Sequence, residues 1–99
     1  VISIEVKMLA TLRGLLGRDS IDLTFPSEDE VTVRKALARL GELIDDRVKE
    51  RLFKPNSTEV QPDVLVLVNG AEIGALDGLE TKLKNGDTLI LLPTVHGGA

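Results

Sequence analysis

The chain has 99 residues, a formal net charge of −4, 42% hydrophobic residues and no cysteine. That suffices for one small domain with a single modest core and is too apolar for a disordered chain. The missing cysteines exclude a disulfide framework and a thiol nucleophile and fit a reducing, cytoplasmic setting. A lone histidine leaves no zinc site, the mild acidity argues against nucleic acid, and neither a bilayer-spanning run nor a signal peptide is visible.

The two aromatic residues are both Phe, so Leu, Ile and Val must build the core. Val1 stands where an initiator Met is expected, which points to a processed or engineered start. Ile2, Ile4, Val6 and Met8 alternate, and period two with β-branched residues predicts a strand. In “LATLRGLLG”, Leu9, Leu12 and Leu16 fall at helical spacing before Gly17, which predicts one or two helical turns with a glycine stop. “SIDLTF” is a second strand, with Ile21, Leu23 and Phe25 on one face, joined to the first as a long hairpin.

Pro26 to Phe53 reads as one main helix, because Val33, Leu37, Leu40, Ile44, Val48 and Leu52 form a single apolar stripe. Two N-caps compete: Ser27 with Glu30 as a capping box, and Thr32 for a later start. Pairs Asp45/Lys49 and Glu50/Lys54 support its exposed face, while Glu28, Asp29 and Glu30 suit a helix N-terminus better than a cation site. Lys54 to Asp63 is a loop, Val64 to Val68 a strand, and Asn69-Gly70 a turn. The stretch after it is irregular, with a short strand at Glu72-Ile73; “KNGD” turns into the last strand, “TLILLP”, which Pro93 stops. The order ββαββ around one long helix implies an α+β fold.

The two late strands are apolar on both faces. Val64, Val66 and Val68 alternate with Leu65 and Leu67, and Leu89 and Leu91 alternate with Ile90 and Leu92. Strands buried on both sides read this way. One long helix covers one face of a small sheet, so the second face meets either the “LATLRGLLG” turns or a partner.

Thr94 to Gly98 and then Ala99 follow the last strand. Five extended residues reach about 17 Å. Gly97-Gly98, lacking Cβ atoms, fits a channel too narrow for other residues, which suits insertion into another protein's active site. A terminal glycine carboxylate there is open to activation by ATP, with AMP displaced by a sulfur or amine nucleophile that the partner supplies.

The stretches “MLATLRGLLG”, “VTVRKALARL”, “VLVLVNG” and above all “LKNGDTLILLPTVHGG” resemble the β-grasp sulfur carriers and ubiquitin-like modifiers. That group holds the molybdopterin synthase small subunit, the thiamine sulfur carrier and the small archaeal modifier proteins. The resemblance spans nearly the whole chain. It implies a ubiquitin-like β-grasp over residues 1–93, with a mixed sheet of four to five strands on one long helix, and a flexible tail over residues 94–99. It favours Thr32 as the N-cap. It also implies a carrier, not an enzyme, that binds no cofactor. A ubiquitin-activating-type enzyme spends ATP to adenylate its terminal glycine, which becomes a thiocarboxylate or is joined to a lysine amine. Carried onto this chain, Gly98 is the reactive end, Gly97 gives clearance, and Thr94, Val95 and His96 form the insertion arm. Leu92 and Ile90 are partner-facing, and Leu65 and Leu67 complete the patch. His96 is read as part of the arm, since no second group makes it a general base.

Ala99 departs from the pattern, because activation needs the carboxylate of the last glycine. It is a removable cap, an added residue that blocks reaction, or the mark of a binding domain that is never activated. The loop “FKPNSTEVQPD” is longer than the shortest carriers need. Three functions follow: a sulfur carrier for molybdopterin with the synthase large subunit as partner, a modifier of lysines on target proteins, and a non-covalent ubiquitin-like interaction domain.

Overall fold

Alternation decides the sheet. In the computed structural model, which describes residues 1–94, β1 (Ile2–Met8), β2 (Ser20–Phe25), β4 (Val64–Val68) and β7 (Thr88–Pro93) each turn every second side chain into one core. With β5 (Ala71–Glu72) they form a five-stranded mixed sheet in the order β2-β1-β7-β4-β5. β7 runs parallel to β1 and antiparallel to β4. The inward residues include Ile4, Val6, Met8, Ile21, Leu23, Phe25, Val64, Val66, Val68, Leu89 and Leu91, all buried. Two further strands, β3 (Val31–Thr32) and β6 (Lys82–Leu83), pair beside the sheet, an arrangement that sequence reading does not anticipate. Two residues are too few to show a period.

The helix of the sequence reading is two helices. α2 covers Val33–Gly41 and α3 covers Asp46–Leu52. Their shared apolar stripe holds: Val33, Leu37, Leu40, Ile44, Val48 and Leu52 are all buried in the core. The break lies in the backbone. Beyond Gly41 the chain turns, and Asp45 adopts an extended conformation (φ −80°, ψ 174°) with its carboxylate accepting the Val48 amide at 3.1 Å. That is an N-cap, and it starts a new helix. Asp45 therefore caps α3, and Lys54 pairs with Glu59 at 3.0 Å across the following loop, not with Glu50.

Thr32 wins the competition at the start of α2, its hydroxyl accepting from the Lys35 amide at 3.1 Å. The Ser27–Glu30 capping box does not form, because residues 27–30 make a turn ahead of β3 and no helix starts there; Glu30 meets the Lys82 ammonium at 2.8 Å and ties the approach to β3 onto β6. The short strand expected at Glu72-Ile73 lies one residue earlier, and Ile73 opens a 3₁₀ turn. Asn69 and Gly70 both take positive φ (50° and 89°), the pair of angles that a tight two-residue hairpin needs between β4 and β5.

α1 (Ala10–Leu16) follows β1 and ends at Gly17, whose left-handed conformation (φ 80°) lets its amide close on the Arg13 carbonyl. Leu12 is fully buried, and α1 packs on α3 and β7. It thus lies with the other helices on the core side, and leaves the opposite face of the sheet to its own side chains.

Candidate functional site

That opposite face carries two kinds of surface. On β1 and β2 the outward residues are Ser3, Glu5, Lys7, Asp22 and Thr24, all polar. On β4 and β7 they are Leu65, Leu67, Ile90 and Leu92, with the polar Thr88 at the start of β7. The antiparallel register sets Leu65 opposite Leu92 and Leu67 opposite Ile90, so these four aliphatic side chains form one contiguous block. Glu72 stands beside Leu67 at one edge, and Lys7 stands beside Ile90 at the other. Leu65 is 38% exposed and the other three are half-buried against one another. No described helix lies over them. Such a block, rimmed by charge, is the form of a docking surface.

β7 is held on both sides, by β1 and β4, and so is a rigid member of the sheet. Its last ladder pair is Pro93 with Val64. Thr94 continues the edge for one residue: its amide and its hydroxyl both donate to the Asp63 carbonyl, at 2.7 and 2.8 Å. Asp63 in turn receives a bidentate guanidinium from Arg51 of α3, at 3.1 and 2.9 Å. The structure therefore brings Leu65, Leu67, Ile90 and Leu92 together, with Thr94 just past the end of β7. Val95, His96, Gly97, Gly98 and Ala99 lie outside the described residues.

Sequence reading missed Arg51 and Asp63, which stand on different elements and share no motif. Lys7 and Glu72 were equally hidden, because only strand register puts them at the rim. No group of acidic or histidine side chains among the described residues is arranged to hold a metal ion. The perturbed titrations lie at Glu30 and Lys82, outside the patch. The hydrogen bond and charge of Lys82 lower the Glu30 carboxyl, and Glu30 raises Lys82 in return.

A family model described as Urm1 (Ubiquitin related modifier) matches residues 3–98. The chain belongs to the Urm1 family. Small archaeal modifier protein 3 of Haloferax volcanii is 38% identical over 95 residues, which cover 96% of this chain and 98% of that protein. A putative sulfur carrier protein of Archaeoglobus fulgidus is 34% identical over 77 residues, 78% of this chain and 84% of that protein. The crystal structure of SAMP1 from Haloferax volcanii matches with a TM-score of 0.77 at 29% identity, covering 97% of this chain and 99% of that one. The fold is thus the α+β β-grasp, and this Urm1-type chain is a ubiquitin-like sulfur carrier or modifier, not a catalyst. No helix among the described residues is long and apolar enough to cross a membrane.

Proposed function

We propose that the chain docks through Leu65, Leu67, Ile90 and Leu92 onto a ubiquitin-activating-type enzyme, which adenylates Gly98 and converts it to a thiocarboxylate. The Gly98 carboxylate attacks the α-phosphate of ATP and pyrophosphate leaves. The outer sulfur of a cysteine persulfide on the partner then attacks the acyl carbon and AMP leaves; a second partner thiol attacks the inner sulfur, forming a disulfide and releasing the Gly98 thiocarboxylate. This chain supplies the docking face, the rigid strand and the arm; the partner supplies every reacting group except the carboxylate. Activation needs Gly98 to carry a free carboxylate, so Ala99 is released first.

The observation that carries this reading is β7 itself. One strand presents Ile90 and Leu92 outward and leads within a few residues to Gly97-Gly98. The molybdopterin precursor is the sulfur acceptor that the “NGD” turn, last strand and tail favour. The intact mass of the protein from its native host tests the proposal. A chain ending at Gly98 with one oxygen replaced by sulfur supports it. An unmodified chain retaining Ala99, in cells that make the sulfurated cofactor, overturns it and favours non-covalent binding. The match to a modifier family supports a second fate for the same adenylate, transfer to lysine. Lysines of trypsin-digested host proteins carrying the tail peptide that follows Lys84 and ends at Gly98 would reveal that fate, and transfer of labelled sulfur to the molybdopterin precursor would reveal the first. Replacing Gly98 by Ala in a chain ending there abolishes both.

A further inference from the structure

We propose that Asp63 is a positioning residue that fixes where the reactive arm leaves the sheet, and that Arg51 holds it in place. The inference rests on the activation of Gly98 proposed above.

Pro93 has no amide hydrogen, so the edge of β7 cannot be pinned there by a ladder donor. The next residue does the pinning. Thr94 gives two donors, amide and hydroxyl, to a single acceptor, the carbonyl of Asp63. That carbonyl is itself immobilised from the helix side. The Asp63 carboxylate takes both arms of the Arg51 guanidinium, and the two side chains are only 28% and 26% exposed. A half-buried fork of this kind has defined geometry, unlike an exposed ion pair. The turn before Asp63 is stapled to the same helix end. The Gln61 amide donates to the Leu52 carbonyl at 2.8 Å, its side chain donates to the Phe53 carbonyl at 3.0 Å, and the Val64 amide closes on the Gln61 carbonyl at 3.0 Å.

The path from α3 to the arm therefore runs Arg51, Asp63, Thr94. Gly98 is the fourth residue after Thr94, a reach of about 14 Å at most. Releasing Thr94 lengthens the free arm by a residue or two, and diluting the glycine over the larger volume costs about twofold in effective concentration. Losing the fixed starting direction costs more, so a total fall in kcat/KM of about fivefold to tenfold is expected, comparable to one hydrogen bond.

Three variants of a chain ending at Gly98 test this: Arg51→Met, Thr94→Val, and Arg51→Lys as the conservative replacement. Amide exchange measured by NMR reports the anchor directly, and ATP–pyrophosphate exchange with the host's adenylating enzyme reports activation. In Arg51→Met, the Thr94 amide exchanges about tenfold faster while Leu67 and Leu91 in the sheet keep their protection. kcat/KM falls about fivefold to tenfold, mostly through kcat, because the docking face is intact. Arg51→Lys recovers part of both, and Thr94→Val, which keeps the helix contacts, shows a smaller loss in the same direction. Unchanged Thr94 exchange in Arg51→Met overturns the proposal. So does faster exchange with full kcat in both Arg51→Met and Thr94→Val. If the parent chain is not adenylated at all, the activation reading fails, and with it the role assigned to the anchor, whatever exchange shows.

Discussion

Leu65→Glu separates docking from folding. Leu65 is 38% exposed, so a little over half of its side chain is already out of water. Complete burial of a leucine contributes about 2 kcal/mol, which makes this fraction worth about 1 kcal/mol. The cross-strand pair with Leu92 adds about 0.5 kcal/mol. The expected loss is about 1.5 kcal/mol, against about 5–10 kcal/mol for a domain of this size, so the variant folds. Its melting temperature drops by about 6–12 °C. Docking suffers more. A carboxylate set among aliphatic side chains and covered by a partner is a buried, unpaired charge, which costs about 3 kcal/mol, or about a hundredfold in affinity. Circular dichroism reads the first effect, and titration calorimetry with the adenylating enzyme reads the second. Thr24→Glu, on the polar half of the same face, is the control and leaves affinity unchanged. Two results refute the reasoning. If Leu65→Glu unfolds, the residue belongs to the core. If it folds and binds normally, the partner docks elsewhere.

Three further predictions concern the scaffold. Asp45→Ala removes the cap of α3 and lowers stability by about 1 kcal/mol, while Asp45→Asn keeps most of it; a denaturant titration distinguishes them. Leu12→Ala opens a cavity where α1 meets the core and costs about 2–5 kcal/mol, seen as a lower denaturation midpoint with an unchanged slope. Glu30 has a lowered folded-state pKa, so its contribution is present above the ordinary carboxylate pKa and fades as pH falls through the lowered value; Lys82, raised, contributes until pH climbs through its own raised value. A double-mutant cycle with Glu30→Gln and Lys82→Met therefore shows coupling near neutral pH that vanishes in acid and shrinks with salt, and coupling that survives in acid would count against the ion pair.

The strands and the docking block were legible because both rest on period two, which strand geometry imposes on the sequence directly. Ile90 and Leu92 had to face away from Leu89 and Leu91 in any strand, and only their contact with Leu65 and Leu67 required the register. The helix break was hidden for a related reason. Steps of three and four run from Val33 to Leu52 without interruption, since both helices pack on one core, and periodicity reports the core face, not the continuity of the backbone. The local signals were Gly41 and Asp45, and Asp45 also fits an exposed pair with Lys49. Contacts between distant segments left no local trace. Glu30 with Lys82, Arg51 with Asp63 and the pairing of β3 with β6 each depend on the closed fold. The capping box at Ser27 failed because the chain turns there and pairs as β3 with β6 before the helix begins.

On the function proposed above, the placement of β7 lets one small domain both dock and deliver a reactive end. Had the arm followed an edge strand, its starting point would shift with fraying of that strand. β7 instead lies between β1 and β4, paired to both, so the position of Thr94 is tied to the positions of Ile90 and Leu92 four and two residues before it. Docking through those side chains therefore sets the origin of the arm to within the rigidity of the sheet. From Leu92, six residues reach Gly98, about 20 Å at full extension, and a partner has to place its active site within that radius of the bound leucine. An arm lengthened by inserting residues after Thr94 would keep the affinity of docking and lose rate, whereas charge at Leu65 would lose affinity first. On that proposal, binding rests on β7 and delivery on the residues that follow it in sequence.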